Sequence, residues 1–370
     1  MKKLWFMLVC GIFCFVLFAD VKNADKPLEG EWDFRPQKVW EIDNVNDAPF
    51  ERPSELRASQ DEKFYFHDFD RAVSYVYDSE GKFIKSFAKQ GTGPGEVNRY
   101  LNCFLAGDKV VIGSPDKLHF FSEEGSFLKS TPNNLFERFP LFFVNEDEFL
   151  YSSRIVNNST EIKDKIIRSN LKTGKESVFD ELTMTPGEKQ TKGGMSLVVL
   201  GLTPQIKIGY DNDSQKFYYG RSDDYTIYIS DARGRKLSSF HLDRERRTVT
   251  NENKRKHFEK SSIPEDRIDA IIPTLPDELT YFMRIQVVKG LIFVYSTESL
   301  DMKQDKIALD IFSPEGKYLY RSHLQFGDET PLYTHVEKVI ILENHCYAIL
   351  EDESGKSFFA KYKISLPRTR

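Results

Sequence analysis

Cysteine is scarce in this sequence, and the four that occur form no metal-binding or redox pattern. Cys10 and Cys14 lie in an apolar N-terminal run, which leaves only Cys103 and Cys346 in the rest of the 370-residue chain. No Cys-x-x-Cys pair, His-x-x-x-His pair or Gly-x-Ser-x-Gly segment is present. The spacing therefore supports neither a zinc site nor a serine hydrolase. We expect Cys103 and Cys346, which fall in non-adjacent repeats, to remain unpaired.

The chain also lacks an excess of positive charge. It has 52 Lys and Arg against 57 Asp and Glu, a formal net charge of −5. Removal of residues 1–19, which hold two lysines and no acid, changes this charge to −7. A mildly acidic chain is a poor candidate for binding nucleic acid or an anionic membrane. We expect neither of these partners.

A long apolar run occurs only at the N-terminus. Lys2 and Lys3 precede an uncharged stretch over residues 4–18, and Ala19 follows. Fifteen residues are fewer than the roughly 20 that a spanning helix needs, and the layout is typical of a secretory signal peptide. We predict cleavage near Ala19, an N-terminal extension over residues 20–37, and a protein exported to the periplasm or beyond. An uncleaved N-terminal anchor is the alternative, and no other membrane insertion is expected.

Aromatic residues make up 14% of the chain, which favours strands, and they recur in a repeated pattern. A strand-like run ends in a polar turn with glycine, and a second aromatic or aliphatic strand follows, as in residues 73–84. Glycine supplies the positive φ that a tight hairpin turn needs. The corresponding glycines are separated by 44, 49, 60 and 82 residues: Gly81, Gly125, Gly174, Gly234 and Gly316.

These intervals have the size of four-stranded blades, the longer ones with insertions. Five complete units precede three C-terminal strands, predicted at residues 338–342, 347–350 and 358–364. Residues 38–42 are the natural fourth strand, because they would close the ring and cover a sheet edge. The sequence thus predicts an all-β, six-bladed β-propeller over residues 38–370. A jelly roll or sandwich is the alternative, but it gives no reason for the period.

The first unit, residues 53–97, contains aromatic strand segments at 64–68 and 76–78, a turn at 81–83 and then the Gly-Thr-Gly-Pro-Gly-Glu run at 91–96. With these segments it resembles the six-bladed propellers of the NHL-repeat and TolB-like group of exported bacterial proteins. Ala88 stands where the pattern usually has glycine, and later units lose the Gly-Pro-Gly segment. The resemblance implies the fold. It does not indicate the function, because the group includes binding scaffolds, interaction modules and metal-dependent relatives that open lactones.

Three segments suggest chemistry but are predicted to have structural roles. Residues 91–96 could cradle a phosphate, yet a strand follows where a helix should begin, so we expect a blade-crossing turn. Residues 211–214 have the oxygen density of a calcium loop without its glycine and downstream Glu, so we expect a plain turn. Residues 233–260 hold ten Lys or Arg against four Asp or Glu but few aromatics for base stacking. We predict the solvated face of a helical insertion at about 250–276, between blades 4 and 5.

Ligand-binding residues are predicted from topology, because the loops joining second to third strands and the loops passing from one blade to the next share one face around a propeller's channel. The candidates are polar residues expected in these loops: His67, Asp68, Arg71, Asp116, Arg154, Asn157, Arg221 and Asp223. Mixed charge at a channel mouth suits a polar ligand or a peptide. The structural alternative is that residues such as Asp68 and Asp116 only hydrogen-bond backbone amides in their turns.

Two functions from different classes follow from this arrangement. The first is a non-enzymatic binding scaffold, a monomer that binds a polar ligand, a peptide or a protein without a cofactor or a catalytic residue. The second is a metal-assisted hydrolase or lactonase with Ca²⁺ in the channel, held by Asp68, Asp116, Asn157 and Asp223. The second requires those oxygens to converge on one point.

Overall fold

The structure is a computed structural model that describes residues 19–135, 137–157, 161–184, 199, 201–258, 263–301, 303–327 and 331–367. Within these residues, the strands form six blades of four antiparallel strands, one of which has an additional parallel strand at its edge. Four strands precede blade 1 in the sequence: β1 (Ala19–Ala24), β2 (Gln37–Ile42), β3 (Asn44–Val45) and β4 (Ala48–Pro49).

Blades 1 to 3 consist of consecutive strands. They are β5 (Pro53–Ala58), β6 (Phe64–Asp68), β7 (Val73–Tyr77) and β8 (Phe83–Phe87); β9 (Asn102–Ala106), β10 (Lys109–Ser114), β11 (Lys117–Ser122) and β12 (Phe127–Pro132); β13 (Pro140–Phe143), β14 (Glu148–Asn157), β15 (Glu161–Asn170) and β16 (Glu176–Met184).

Blades 4 to 6 complete the ring. They contain β17 (Ile206–Asp211), β18 (Lys216–Arg221), β19 (Thr226–Asp231) and β20 (Lys236–Asp243); β21 (Phe282–Val288), β22 (Leu291–Ser296), β23 (Lys306–Phe312) and β24 (Tyr318–Gln325); and β25 (Val339–Ile341), β26 (His345–Glu351) and β27 (Ser357–Lys363). Helices α1 (Asn251–Phe258) and α2 (Glu265–Ile271) and a 3₁₀ helix at Ile272–Thr274 lie between β20 and β21, and a second 3₁₀ helix, Val336–Lys338, precedes β25.

Each pair of neighbouring blades is held together by a hydrophobic cluster that draws side chains from both. Between blades 4 and 5, for example, the ring of Phe240 lies 4.7 Å from that of Phe312. Burial of each large apolar side chain contributes roughly 1.5–3 kcal/mol. The core is therefore a set of radial layers between blades, and the predicted six-bladed β-propeller is confirmed.

The ring is closed as the sequence predicts. Strand β2 pairs antiparallel with β27, with Trp40 opposite Lys361 and Ile42 opposite Phe359. The Trp40 ring packs edge-on against Phe359 at a centroid distance of 5.2 Å. The N-terminal part of the chain is thus the outer strand of blade 6, whose other three strands are C-terminal.

The segment before β2 has a role that the sequence analysis does not predict. Strand β1 pairs parallel with β20, as a fifth strand on the outer edge of blade 4. Residues 28–32 then bond to the backbone of β24, with N–H···O distances of 2.8–3.0 Å from Leu28, Glu29 and Trp32. Phe34 is buried in the cluster between blades 5 and 6. Residues 19–42 therefore form a belt along the outer edges of blades 4, 5 and 6.

The helical insertion is confirmed, and it has its own small core. Ile268 and Ile272 pack with Leu202 from the connection into blade 4 and with Leu300 from blade 5. None of the helices in the described ranges has both the length and the apolar character of a membrane-spanning segment.

The basic run that contains α1 has the predicted solvated helix face, and many of its cations are paired. Lys254 is fully buried, with Nζ 2.6 Å from an Asp277 carboxylate oxygen. Arg246 and Arg247 pair with Glu278 and Glu298 at 2.9 and 2.7 Å. The surplus of positive charge in the sequence is thus balanced by acids from elsewhere in the fold.

Candidate functional site

The structure corrects the position of most predicted loop residues. Five of the eight lie in the second strands of their blades rather than in the following loops: His67, Asp68, Arg154, Asn157 and Arg221. In blade 3 the reason is the length of the hairpin, because β14 and β15 remain paired to the Asn157–Glu161 position. The side chains of Arg154 and Asn157, and all of Asn158, are outside the described part of the structure.

Asp68 has a structural role. Its carboxylate is fully buried and accepts hydrogen bonds from the backbone N–H groups of Glu51 and Arg52, at 2.9 and 3.0 Å. Arg71 lies in the next loop, with Nε 3.9 Å from the same carboxylate. Asp68 therefore joins the entry of blade 1 to its second strand, which is the structural alternative raised from the sequence.

Arg221 and Asp223 come together, as part of a buried ion network. Arg221 Nε donates to Asp223 at 2.7 Å, and its Nη1 pairs with Asp164 of blade 3. This network joins blades 3 and 4. Asp116 is half-exposed and accepts a hydrogen bond from the Ser114 hydroxyl at 3.3 Å.

The predicted calcium ligands each have local partners of this kind. Asp68 is held by backbone amides, Asp116 by a hydroxyl and Asp223 by a guanidinium. Within the described ranges, no three His, Cys, Asp or Glu side chains converge as ligands of a metal ion. The side chain of Asn157 is outside those ranges, and calcium binding stays a prediction that titration calorimetry would test.

A cavity of about 470 Å³ opens where blade 1 passes into blade 2. Its walls come from two segments, the end of β6 with its loop and the connection from β8 to β9. The lining residues are His67, Phe69, Ala72, Ala88, Gln90, Val97, Asn98, Arg99, Tyr100 and Leu101. Of the predicted residues, only His67 contributes to it.

Two stacked rings form one wall of this cavity. The His67 and Tyr100 rings are parallel within 6°, with centroids 3.7 Å apart, and Phe69 packs edge-on against both. His67 Nδ1 lies 3.0 Å from the Ser74 hydroxyl. Burial lowers the pKa of His67 to about 4, against an opposing effect of Asp68, so the ring is neutral at pH 7.

The Gly-Pro-Gly segment forms the outer part of this connection. The Gly93 N–H donates to the Glu96 carboxylate at 2.8 Å, and the Glu96 N–H donates back to the Gly93 carbonyl at 3.0 Å. Strand β9 follows instead of a helix. The prediction of a blade-crossing turn is confirmed: the turn lies between Gln90 and Val97, which line the cavity, and it is not followed by the helix of a phosphate loop.

The central channel contains a charge cluster that the sequence analysis missed. Its members lie on or just before the innermost strands: Glu55, Arg57, Lys207, Arg284, His335 and Glu337. Arg57 Nη1 is 3.4 Å from the Glu337 carboxylate, with the two side chains 23% and 35% exposed. Although burial opposes ionisation of Glu337, the charges of Arg57, Arg284 and Lys207 lower its pKa to about 2.

Tyr100 connects the cavity to this cluster. Its hydroxyl donates to the Glu55 carboxylate at 2.7 Å, and Glu55 also accepts the Cys103 N–H at 2.9 Å. Glu55 has φ of +58° and lies in a bulge between β5 and β6, which turns its carboxylate toward blade 2. Tyr100 thus links the cavity to the charge cluster in the channel.

A signal for the channel residues exists in the sequence. In Ser-Glu-Leu-Arg-Ala at 54–58 and Met-Arg-Ile-Gln at 283–286, charged or polar residues alternate with apolar ones on the innermost strand. That alternation places the polar side chains on one face of each innermost strand, at the edge of the blade that borders the channel.

Comparison with known proteins gives a result for the fold alone. No family model and no curated protein matches the chain. A member of the DUF4221 family from Bacteroides vulgatus superposes with a TM-score of 0.54 at 9% identity, over 90% of this chain and 99% of that one. A protein from Bacteroides fragilis whose name describes it as exported gives 0.50 at 11%, over 94% and 100%.

These similarities agree with the ring of six blades. The chain shares its fold with propeller proteins of Bacteroides. The predicted resemblance to exported bacterial propellers is confirmed at that level, whereas the finer assignment to the NHL-repeat and TolB-like group stays a prediction. A virginiamycin B lyase from Staphylococcus aureus superposes more loosely, with a TM-score of 0.40 at 12% identity over 90% of this chain and 99% of that one. A propeller fold does not determine an activity.

Proposed function

We propose that this protein is an exported, non-enzymatic binding propeller that holds a polar ligand or a peptide side chain in the cavity beside Tyr100. The observation that carries the proposal is the cavity itself, about 470 Å³ in volume and formed by two connecting segments between blades 1 and 2. Sites of this size, with apolar walls and a few polar groups, are typical of small-molecule binding.

The lining indicates the kind of ligand. Phe69 and the Tyr100–His67 pair present aromatic surface, while Gln90, Asn98 and Arg99 supply donors and acceptors at the rim. A ligand with a flat or ring-shaped part and polar substituents would use both. Neutral His67 contributes ring surface without a charge at pH 7.

Export is part of the same proposal. The N-terminal run of residues 2–19 has the layout of a signal peptide, and the similar Bacteroides fragilis protein is named as exported. An export assay would test it, with the N-terminal segment of this chain fused in front of a reporter enzyme. The reporter should be active outside the cytoplasm, and Leu8→Arg within the apolar run should abolish that activity. Reporter activity confined to the cytoplasm would contradict the proposal.

Ligand-observed NMR with a library of ring-containing polar fragments tests the cavity. Indole-3-acetamide and N-acetylglucosamine are suitable first probes, because each combines a ring with hydrogen-bonding groups. We expect fragment binding to the wild type and its loss in Asn98→Trp, since Asn98 is exposed at the rim and the larger ring would fill the space.

Asn212→Trp is the matched control. Asn212 is exposed in the turn between β17 and β18, outside the cavity, so the same substitution there should leave binding intact. If fragments bind Asn98→Trp as well as they bind the wild type, or if none binds the wild type, the cavity is not the ligand site.

A further inference from the structure

We propose that the central channel contains a second binding site, for an oxyanion such as a carboxylate or a phosphate group, formed by Arg57, Lys207 and Arg284. These three cations come from the innermost strands of blades 1, 4 and 5. The site is separate from the cavity beside Tyr100, and its test does not depend on the function proposed for that cavity.

The first observation is an excess of positive charge inside an acidic protein. Three cations share the cluster with two carboxylates, Glu55 and Glu337. Glu55 is already engaged by the Tyr100 hydroxyl and the Cys103 N–H. Glu337 is the carboxylate that faces the cations, at 3.4 Å from Arg57. Like charges held together in a confined space repel one another, and an anion would relieve that repulsion.

The second observation is that, within the described part of the chain, some donors in the cluster have no protein acceptor. Arg57 uses Nε and Nη1 for the carbonyls of Cys103 and Leu56, and Arg284 uses Nη1 for that of Val336. Among the residues that the structure describes, none accepts from Nη2 of either guanidinium. Lys207 Nζ donates to Gln205 at 2.8 Å and has two further protons.

His335 adds a further donor of this kind. Its Nδ1 accepts the Glu337 N–H at 3.3 Å, which places the ring proton of the neutral form on Nε2. Nε2 is buried and has no partner within the described ranges. Burial lowers the pKa of His335 to about 4, with the cations Lys338, Lys207 and Arg284 acting in the same direction against Glu337, so the neutral form is present at pH 7.

These features favour an oxyanion over other ligands. Guanidinium groups with fixed orientation match the paired oxygens of a carboxylate or phosphate, and a lysine adds a mobile charge. The backbone carbonyls hold Arg57 and Arg284 in place before any ligand arrives, which lowers the entropy cost of binding. The partial exposure of Arg57 shows that the channel admits solvent.

Titration calorimetry with sodium succinate and with sodium phosphate at pH 7 and low ionic strength tests the proposal. We expect saturable binding of at least one of them to the wild type. Lys207→Met should weaken it about tenfold or more, because a charged donor is lost, whereas Lys207→Arg should retain it. Binding of succinate but not phosphate would identify a carboxylate site, and binding of phosphate but not succinate would identify a phosphate site.

Two controls keep the result interpretable. Lys129→Met removes an equal charge from the exposed outer strand of blade 2 and should leave the affinity unchanged. Lys207→Gln provides a second variant if the methionine impairs folding, which the melting temperature would reveal. No saturable binding of either anion, or equal affinity in the wild type and both neutral variants, would overturn the proposal.

Discussion

The turn glycines show how one residue serves both a hairpin and a blade interface. Gly81, Gly125, Gly234 and Gly316 all have positive φ, as a tight turn requires. A Cβ atom at each would also meet a side chain of the preceding blade, Trp40 and Ile42 at Gly81 or Phe240 at Gly316. The repeated glycine is therefore a packing requirement as well as a conformational one.

Gly316→Ala and Gly174→Ala separate these two requirements. Gly316 has φ of +87° and its Cβ would lie 2.5 Å from Phe240 Cβ, whereas Gly174 has φ of +66° and open space around it. We expect Gly174→Ala to cost about 1–2 kcal/mol of unfolding free energy, from backbone strain alone. Gly316→Ala should cost about 1–3 kcal/mol more, from overpacking. Urea unfolding measures both, and equal losses would contradict the packing role.

At the scale of elements, the belt over residues 19–42 differs from an ordinary N-terminal extension. Strand β1 joins blade 4 to blade 5, because Asn23 bonds to both. Its Nδ2 donates to the carbonyls of His241 and Gly316 at 3.1 and 2.9 Å, and its Oδ1 accepts the Tyr318 N–H at 2.9 Å. The outer edge of blade 4 is thereby covered.

Asn23→Ala should loosen this part of the belt. Loss of three hydrogen bonds leaves backbone groups of blades 4 and 5 unsatisfied, at a cost of about 2 kcal/mol. We expect faster amide hydrogen exchange in β20 and a lower unfolding free energy. Asn212→Ala, in an exposed turn, is the control and should change neither. Unchanged exchange in β20 would show that β1 does not depend on Asn23.

For the whole molecule, we expect stability to fall in mild acid. Burial is the main cause that lowers the pKa of His67 and of His335 to about 4, from an ordinary value near 6.5. Between these values the unfolded chain binds more protons than the folded one, so unfolding becomes easier as pH falls from 6.5 to 4. Well above pH 6.5 both rings are neutral in either state, and this stabilisation is complete.

Urea unfolding at pH 7 and pH 4.5 measures the effect. Each histidine should account for roughly 2–3 kcal/mol over the full window. In His67→Phe a ring still packs against Tyr100, but this side chain cannot bind a proton. The variant should therefore lose less unfolding free energy between pH 7 and pH 4.5 than the wild type does. Identical losses in the two proteins would show that His67 is not responsible.

Local patterns in the sequence determined much of the architecture. The period of the turn glycines, the strands around them and the unpaired set of C-terminal strands were enough to predict six blades and closure by residues 38–42. These features depend on backbone conformation and on alternation along a single strand, both of which can be read over a few residues. The helical insertion was predictable for the same reason.

Only the tertiary structure decided where the belt binds and which polar residues meet. Asn23 bonds to residues more than 200 positions away, and the channel cations come from three separate blades. The site prediction assigned Asp68 and Arg221 to loops, but both lie at strand ends, where burial and pairing with other groups determine their roles. Such contacts depend on the ring as a whole, and no local pattern specifies them.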